Sequence, residues 1–163
     1  MATTAARRVH ASERGDIEGM LQRRVSGEVK FDPFSRVLYS TDASIYQMEP
    51  VGVVIPRNVD DVLAVIDIAN ETGVPVLPRA GGTSLAGQTV NHAIVTDFSK
   101  YLNQIIEVNE EEMWARVQPG IVLDDLNRQL IPYGLMYAPD PPTSSRCLLY
   151  TSPRPRDATR SRM

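Results

Sequence analysis

The sequence predicts an α+β fold: a strand–helix–strand (βαβ) unit, then a mixed sheet with flanking helices. Three observations carry this. A β-branched run, an amphipathic stretch and a second apolar run succeed one another between Val51 and Pro78. Three more short apolar runs follow between Ala93 and Val117. Apolar residues return at helical spacing between Val122 and Leu130. The chain has 163 residues, 42% hydrophobic and 23% charged, which is enough to bury a core and excludes a wholly disordered polypeptide.

The elements follow in order. Residues 1 to about 11 have no periodicity and read as a loose terminus. Ser12 precedes ERGDIEGMLQRRV, where Ile17, Met20, Leu21 and Val25 fall on one helical face. Residues 1–30 therefore read as an N-terminal extension with one short helix. From Phe31 to Pro50 the pattern is mixed, with breaks at Pro33 and Pro50 and a turn of helix around Ser35 to Tyr39. Val51, Val53, Val54 and Ile55 form a strand ended by Pro56. Asn58 suits a helix N-cap, with Asp60 and Asp61 in the first turn where acids favour the positive helix end. Val59, Val62, Leu63, Ile66 and Ala69 follow at helical spacing, and Gly73 suits a left-handed C-terminal cap. Val74–Pro78 is the second strand, expected parallel to the first. After the loop RAGGTSLAGQTV, strands are expected at Ala93–Asp97, Gln104–Val108 and Met113–Val117, the last two joined by the acidic turn Asn109–Glu112. Pro119-Gly120 ends that hairpin. A helix from Val122 to Leu130 is closed by Gly134, and the proline-rich loop APDPPTSSRC follows.

Composition removes several function classes. One cysteine, Cys147, excludes an internal disulfide and a multi-thiolate metal site. The two histidines, His10 and His92, are too scattered for a metal cluster, so no metal site is expected. No apolar run approaches the ~20 residues that span a bilayer. The first residues lack the apolar stretch of a secretory signal. A cytoplasmic location is the default expectation. Net charge is −3, which implies no bulk nucleic-acid affinity. That charge is uneven: residues 148–163 carry four arginines and one aspartate, net +3, leaving −6 on the rest.

The segment with chemistry is Pro78–Gln88, PRAGGTSLAGQ. Gly81, Gly82 and Gly87 let backbone N–H groups approach a ligand closely and adopt positive φ. A run of such groups makes an anion nest. The hydroxyls of Thr83 and Ser84 add donors, and Arg79 supplies a cation beside them. A phosphate or pyrophosphate is the ligand such a loop favours. There is no lysine after the glycines, so it is not a GxxxxGK[ST] loop, and the G-x-G-x-x-G spacing is also absent. By composition alone the loop reads equally as an ordinary strand-to-strand turn. The remaining candidates have plain readings: His92 as a turn residue, Asp42 and Glu49 as solvated loop charges around Tyr46, Glu110–Glu112 as a hairpin tip, and Trp114 as packing.

PRAGGTSLAGQ resembles the signature loop of the FAD-linked oxidases with a vanillyl-alcohol-oxidase-type (PCMH-type) FAD domain. Its neighbours agree in order. VGVVIPRNVDDVLAVIDIANETGVPVLP is similar to that family's opening strand–helix–strand, MWARVQPGIVLDDLNRQL to its V-x-P-G-V strand–turn–helix, and YAPDPPTSS to its Pro-Asp-Pro segment. Within the family the resemblance is to glycolate oxidase D subunits and D-lactate dehydrogenases, acting on small 2-hydroxy acids; some members continue into an iron–sulfur region. The resemblance implies roles. Arg79, Ala80, Gly81, Gly82, Thr83 and Ser84 would wrap the FAD pyrophosphate, with the N–H groups of residues 80–83 as donors. Leu85, Gly87 and Gln88 would complete the loop. Pro139, Asp140 and Pro141 would lie beside the ribityl or isoalloxazine part, and Gly120 would let the backbone pass close to the cofactor. Ala80 stands where many members have glycine and is tolerable only at negative φ. No histidine stands in the loop, where members with covalent flavin commonly carry one, so FAD is expected non-covalent.

The resemblance runs from about Phe31 to Cys147. Residues 31–147 are thus expected to form part of a PCMH-type domain. Residues 148–163 (LLYTSPRPRDATRSRM) do not resemble the family and read as an unstructured, non-native tail on an N-terminal fragment. No catalytic residue is assigned, and the fragment is expected to be inactive. A stand-alone nucleotide-phosphate-binding module without redox chemistry is the rival expectation.

Overall fold

The computed structural model describes residues 9–139 and 144–146. In chain order the elements are α1 (Ala11–Arg24), β1 (Glu28–Lys30), α2 (Pro33–Leu38), β2 (Gly52–Ile55), α3 (Val59–Thr72), β3 (Val76–Arg79), β4 (Ile94–Asp97), β5 (Ile105–Asn109), β6 (Trp114–Val117) and α4 (Leu123–Leu130). A 3-10 turn, Ile131–Tyr133, follows α4.

The strongest sequence signals become the centre of the molecule. β2 and β4 are buried along their whole length, as continuous apolar strands of a two-faced sheet must be. The sheet has the order β1-β2-β4-β3, with β1 antiparallel to β2 and the other pairs parallel. The two strands of the βαβ unit are parallel as read, but β4 inserts between them, pairing Val53 with Val95 on one side and Val95 with Leu77 on the other. α3 joins β2 to β3. Its start is set by Asn58, whose side chain accepts from the Asp61 N–H at 2.9 Å. Its end is set by Gly73 at φ +71°.

One face of the sheet is covered by α1 and α3. Ile17 and Leu21 of α1 meet Val65 and Ile68 of α3 over Val54 and Ile94. Residues 11–30 therefore do not stand apart as an extension: α1 packs in the main core and β1 is a strand of the sheet. β1 has no alternating apolar pattern, and only its pairing with β2 makes it a strand. α1 also begins earlier than expected, with His10 rather than Ser12 at the N-cap and no side-chain cap bond. Burying both Ile17 and Leu21 decides its position, not capping chemistry.

The β5–β6 hairpin is a separate two-stranded sheet. α4 covers it, placing Leu126 and Leu130 against Ile105, Val108 and Val117. This unit is tied to the chain after β4 at Gly120, whose N–H donates to the Leu102 carbonyl at 2.7 Å. A Cβ at Gly120 would stand 1.9 Å from the Phe98 carbonyl oxygen. A close approach to the protein's own backbone thus requires glycine here. Residues 148–163, expected as a tail, and Cys147 lie outside the described residues.

Candidate functional site

β3 delivers Arg79 to the carboxyl end of the parallel strands, and residues 80–93 return the chain to the start of β4. Ligands of open parallel sheets collect at that end. Gly82 and Gly87 take left-handed φ values of +64° and +71°. Ala80 does not, since Met113 alone among the described non-glycine residues has positive φ. The methyl at position 80, in doubt from sequence, is therefore accommodated, and it is buried.

One edge of the loop is bonded and the other is open. The Gly82 carbonyl accepts from the Ala43 N–H at 3.1 Å. Among the described residues nothing accepts from the N–H groups of Gly81, Gly82 or Thr83. A Cβ at Gly81 would stand 2.6 Å from the Arg146 carbonyl oxygen, so the chain beyond the proline-rich loop comes back to this turn.

Arg79 is placed differently from the expectation. Its Nη1 donates to the carbonyls of Tyr39 and Thr89, both at 3.1 Å, and its Nη2 to the Thr41 carbonyl at 2.8 Å. The guanidinium lies over the Tyr39 ring, 5.2 Å from its centroid, and directly beneath Gly82. Burial lowers its pKa, and the nearby Tyr39, Asp97 and Asp42 work the other way. Arg79 is a brace that fixes the loop from below, with three of its five N–H donors taken by carbonyls.

Ser84 is also turned inward. Its Oγ accepts from the N–H groups of Ala86 and Gln88, each at 3.2 Å, and donates to the Gln88 Oε1 at 3.3 Å. It closes the loop rather than offering a free donor. Leu85 is 82% exposed, Gln88 is exposed, and Gly87 packs under the Tyr46 ring, where a Cβ would stand 2.5 Å from Cδ2. Pro139 is half-buried; Asp140 and Pro141 lie outside the described residues.

Sequence reasoning missed the supports. Asp42 accepts from the Thr89 Oγ1 at 2.9 Å and from the Ser44 N–H at 2.9 Å. Burial acts to raise its pKa, but the hydrogen bonds from Ser44 and Thr89 more than offset this, so the carboxyl titrates below its ordinary range. Tyr39 donates to the Asp97 Oδ2 at 2.6 Å; burial first, and then that bond and the carboxylate's charge, push the phenol well above its usual pKa. Tyr39, Asp42 and Tyr46 are about 40 residues from the loop, so no local spacing betrays them.

The arrangement has the donor set a diphosphate needs. Among the described residues the successive N–H groups of Gly81, Gly82 and Thr83 have no acceptor, and the neighbouring carboxylate of Asp42 is occupied by Ser44 and Thr89. Among the described residues no group of three His, Cys, Asp or Glu side chains could hold a metal ion. Among them no helix is long and apolar enough to cross a membrane.

Comparison with known proteins decides the family. The family model described as "FAD binding domain" (FAD_binding_4) matches residues 50–150. This chain belongs to that family of FAD binding domains. The loop lies within the matched stretch. The D-2-hydroxyglutarate dehydrogenase of Escherichia coli is 39% identical over 136 residues, covering 82% of this chain and 13% of the relative. The glycolate oxidase subunit GlcD of Bacillus subtilis is 42% identical over 123 residues, covering 72% of this chain and 26% of the relative. The chain thus spans about 13% of the length of the D-2-hydroxyglutarate dehydrogenases it matches. Among solved structures, p-cresol methylhydroxylase superposes with a TM-score of 0.66 at 20% identity, over 78% of this chain and 26% of that one. An alkyldihydroxyacetonephosphate synthase reaches 0.74 at 20% identity, over 83% and 28%. The fold is that of the PCMH-type FAD-binding domain.

Proposed function

We propose that this chain is the FAD-binding part of a flavin-dependent dehydrogenase of a small 2-hydroxy acid, with FAD held non-covalently. The observation that carries the reading is the braced loop: open N–H groups at Gly81, Gly82 and Thr83 above the Arg79 guanidinium, in a chain of the FAD-binding-domain family. Those amides, with that of Ala80, would hold the pyrophosphate. Ser84 and Gln88 keep the turn closed, and Leu85 and Gly87 complete its wall. Pro139, Asp140 and Pro141 would sit toward the flavin end. Relatives named for D-2-hydroxyglutarate, glycolate and D-lactate support the substrate class. The bound flavin would supply a hydride acceptor. The chain's own contribution is binding and orientation, and no described residue is assigned as the base. An iron–sulfur region or subunit in the full-length protein, and a cytoplasmic location, complete the proposal.

The test is a titration of the full chain with FAD, read by quenching of flavin fluorescence. Saturable, stoichiometric quenching is expected, with all flavin released on acid denaturation. Binding of ATP with no binding of FAD makes the chain a phosphate-binding module instead. Yellow colour kept after denaturation overturns the non-covalent reading.

A further inference from the structure

A polar cavity lies at the other end of the sheet from the glycine-rich loop. Its lining includes Arg14, Arg36, Glu49 and His92, and its volume is about 370 Å³, within the usual range for small-molecule sites. Pro50 and Val51 enter β2 here and His92 stands just before β4, so the cavity is at the amino end of the parallel strands. The Gly81–Thr83 turn follows β3 and is at the carboxyl end. The two sites are therefore separate.

The cavity holds an excess of positive charge with unfilled donors. The Arg36 side chain is only 10% exposed. Its Nε donates to the Pro50 carbonyl at 3.0 Å and its Nη2 pairs with a Glu49 carboxylate oxygen at 2.5 Å. Its Nη1 has no partner among the described residues. Arg14 has a buried Nε with no hydrogen-bond partner among the described residues, and burial, followed by the nearby charge of Arg14, lowers the Arg36 pKa against the pull of Glu49. His92 donates from Nδ1 to the Glu49 carbonyl at 2.8 Å, which fixes the ring in the cavity wall. Glu49 is the single acid in the lining, and its side chain is 48% exposed. Among the described lining residues, two guanidinium groups share one half-solvated carboxylate, which leaves one cation in excess. A buried N–H without an acceptor costs free energy that a ligand oxygen would recover.

We propose that this cavity binds a small oxyanion, a carboxylate or a phosphate group, between Arg14 and Arg36. Guanidinium forks suit both, since each presents paired oxygens to parallel N–H donors. The site needs no flavin and is independent of the function proposed above.

The test is an NMR titration of the full ¹⁵N-labelled chain with sodium phosphate and, separately, sodium acetate, at constant ionic strength. The Arg14 and Arg36 Nε–H signals are expected to move along one saturating curve, in a different concentration range from the amides of Gly81–Thr83. Whichever anion binds more tightly identifies the natural ligand group. Arg14→Gln should weaken binding roughly tenfold. Glu49→Gln should tighten it severalfold by freeing Arg36 Nη2, a gain that a misfolded variant would not give. Shifts confined to the Gly81–Thr83 amides overturn the proposal, as does an unchanged affinity in Arg14→Gln or a weakened one in Glu49→Gln.

Discussion

At the scale of single residues, Arg79 shows how far chemistry can differ from composition. A cation next to a glycine-rich turn reads as a phosphate ligand. The structure instead gives its donors to the carbonyls of Tyr39, Thr41 and Thr89. Sequence spacing cannot reveal this, because those carbonyls come from segments 10 to 40 residues away. Arg79→Lys keeps the charge and loses the planar fork. It should cost about 1–2 kcal/mol, because two part-buried carbonyls and one exposed carbonyl lose charge-assisted bonds. It should also weaken FAD binding by tenfold or more, because the amides above lose their fixed geometry. Urea unfolding and flavin quenching measure the two effects. Unchanged affinity with lowered stability would mean that the amides are held by Asp42 and Tyr46 alone. The turn itself was legible: Gly82 and Gly87 take left-handed φ, and Ala80 at negative φ is the condition its sequence set.

At the scale of elements, the parts written in local periodicity were found and the parts made by distant partners were not. β2, α3, β3 and the β5–β6 hairpin carry their own signals: β-branched runs, an N-cap, a glycine C-cap and an acidic turn. β1 is three residues with no apolar pattern, and β4 lies between β2 and β3 only in three dimensions. Two carboxylates fasten this non-local part. Asp61, 2% exposed, accepts from the Ser26 N–H at 2.7 Å, the Ser26 Oγ at 3.0 Å and the Arg57 N–H at 2.8 Å. It thereby ties the α1–β1 link to the start of α3. Asp61→Ala should cost about 2–4 kcal/mol, since several buried donors lose their acceptor; chemical denaturation tests this. Glu28 of β1 is bonded first by Lys100, then by Tyr101 and Lys30, which lowers its pKa from 4.5 to about 2. The folded pKa is depressed, so the stabilisation is complete above pH 4.5 and lost as pH falls toward 2. Glu28→Gln should flatten the stability profile between those limits. An identical acid slope in the variant would remove Glu28 from the account.

At the scale of the whole molecule, the question is what the surface does beyond the core. α3 packs one face on the sheet through Ala64, Val65, Ile68 and Ala69. Its outer side carries apolar residues among the acids Asp60, Asp67 and Glu71: Val59, Leu63 and Ile66 are 64%, 53% and 43% exposed. The first two are four residues apart and the last two three apart, so they form one stripe along the helix. An isolated exposed leucine needs no explanation, but a continuous stripe drives association. The helical spacing of Val59, Val62, Leu63, Ile66 and Ala69 marked the helix but not its buried face: the sheet takes Ala64, Val65, Ile68 and Ala69, and leaves Val59, Leu63 and Ile66 outside. The chain should therefore bind an apolar dye and self-associate at micromolar concentration. Pairing Leu63→Glu with Ile66→Lys places opposite charges three residues apart on that stripe, where they support the helix by a few tenths of a kcal/mol. Sedimentation should then show a smaller species and dye fluorescence should fall, with the unfolding midpoint nearly unchanged, because neither side chain is part of the core. Unaltered association would place the sticky surface elsewhere, on the exposed Ile45 or on Leu85 of the glycine-rich loop. Added FAD should then reduce association, which the α3 stripe, on the far side of its own helix from the sheet, would not allow.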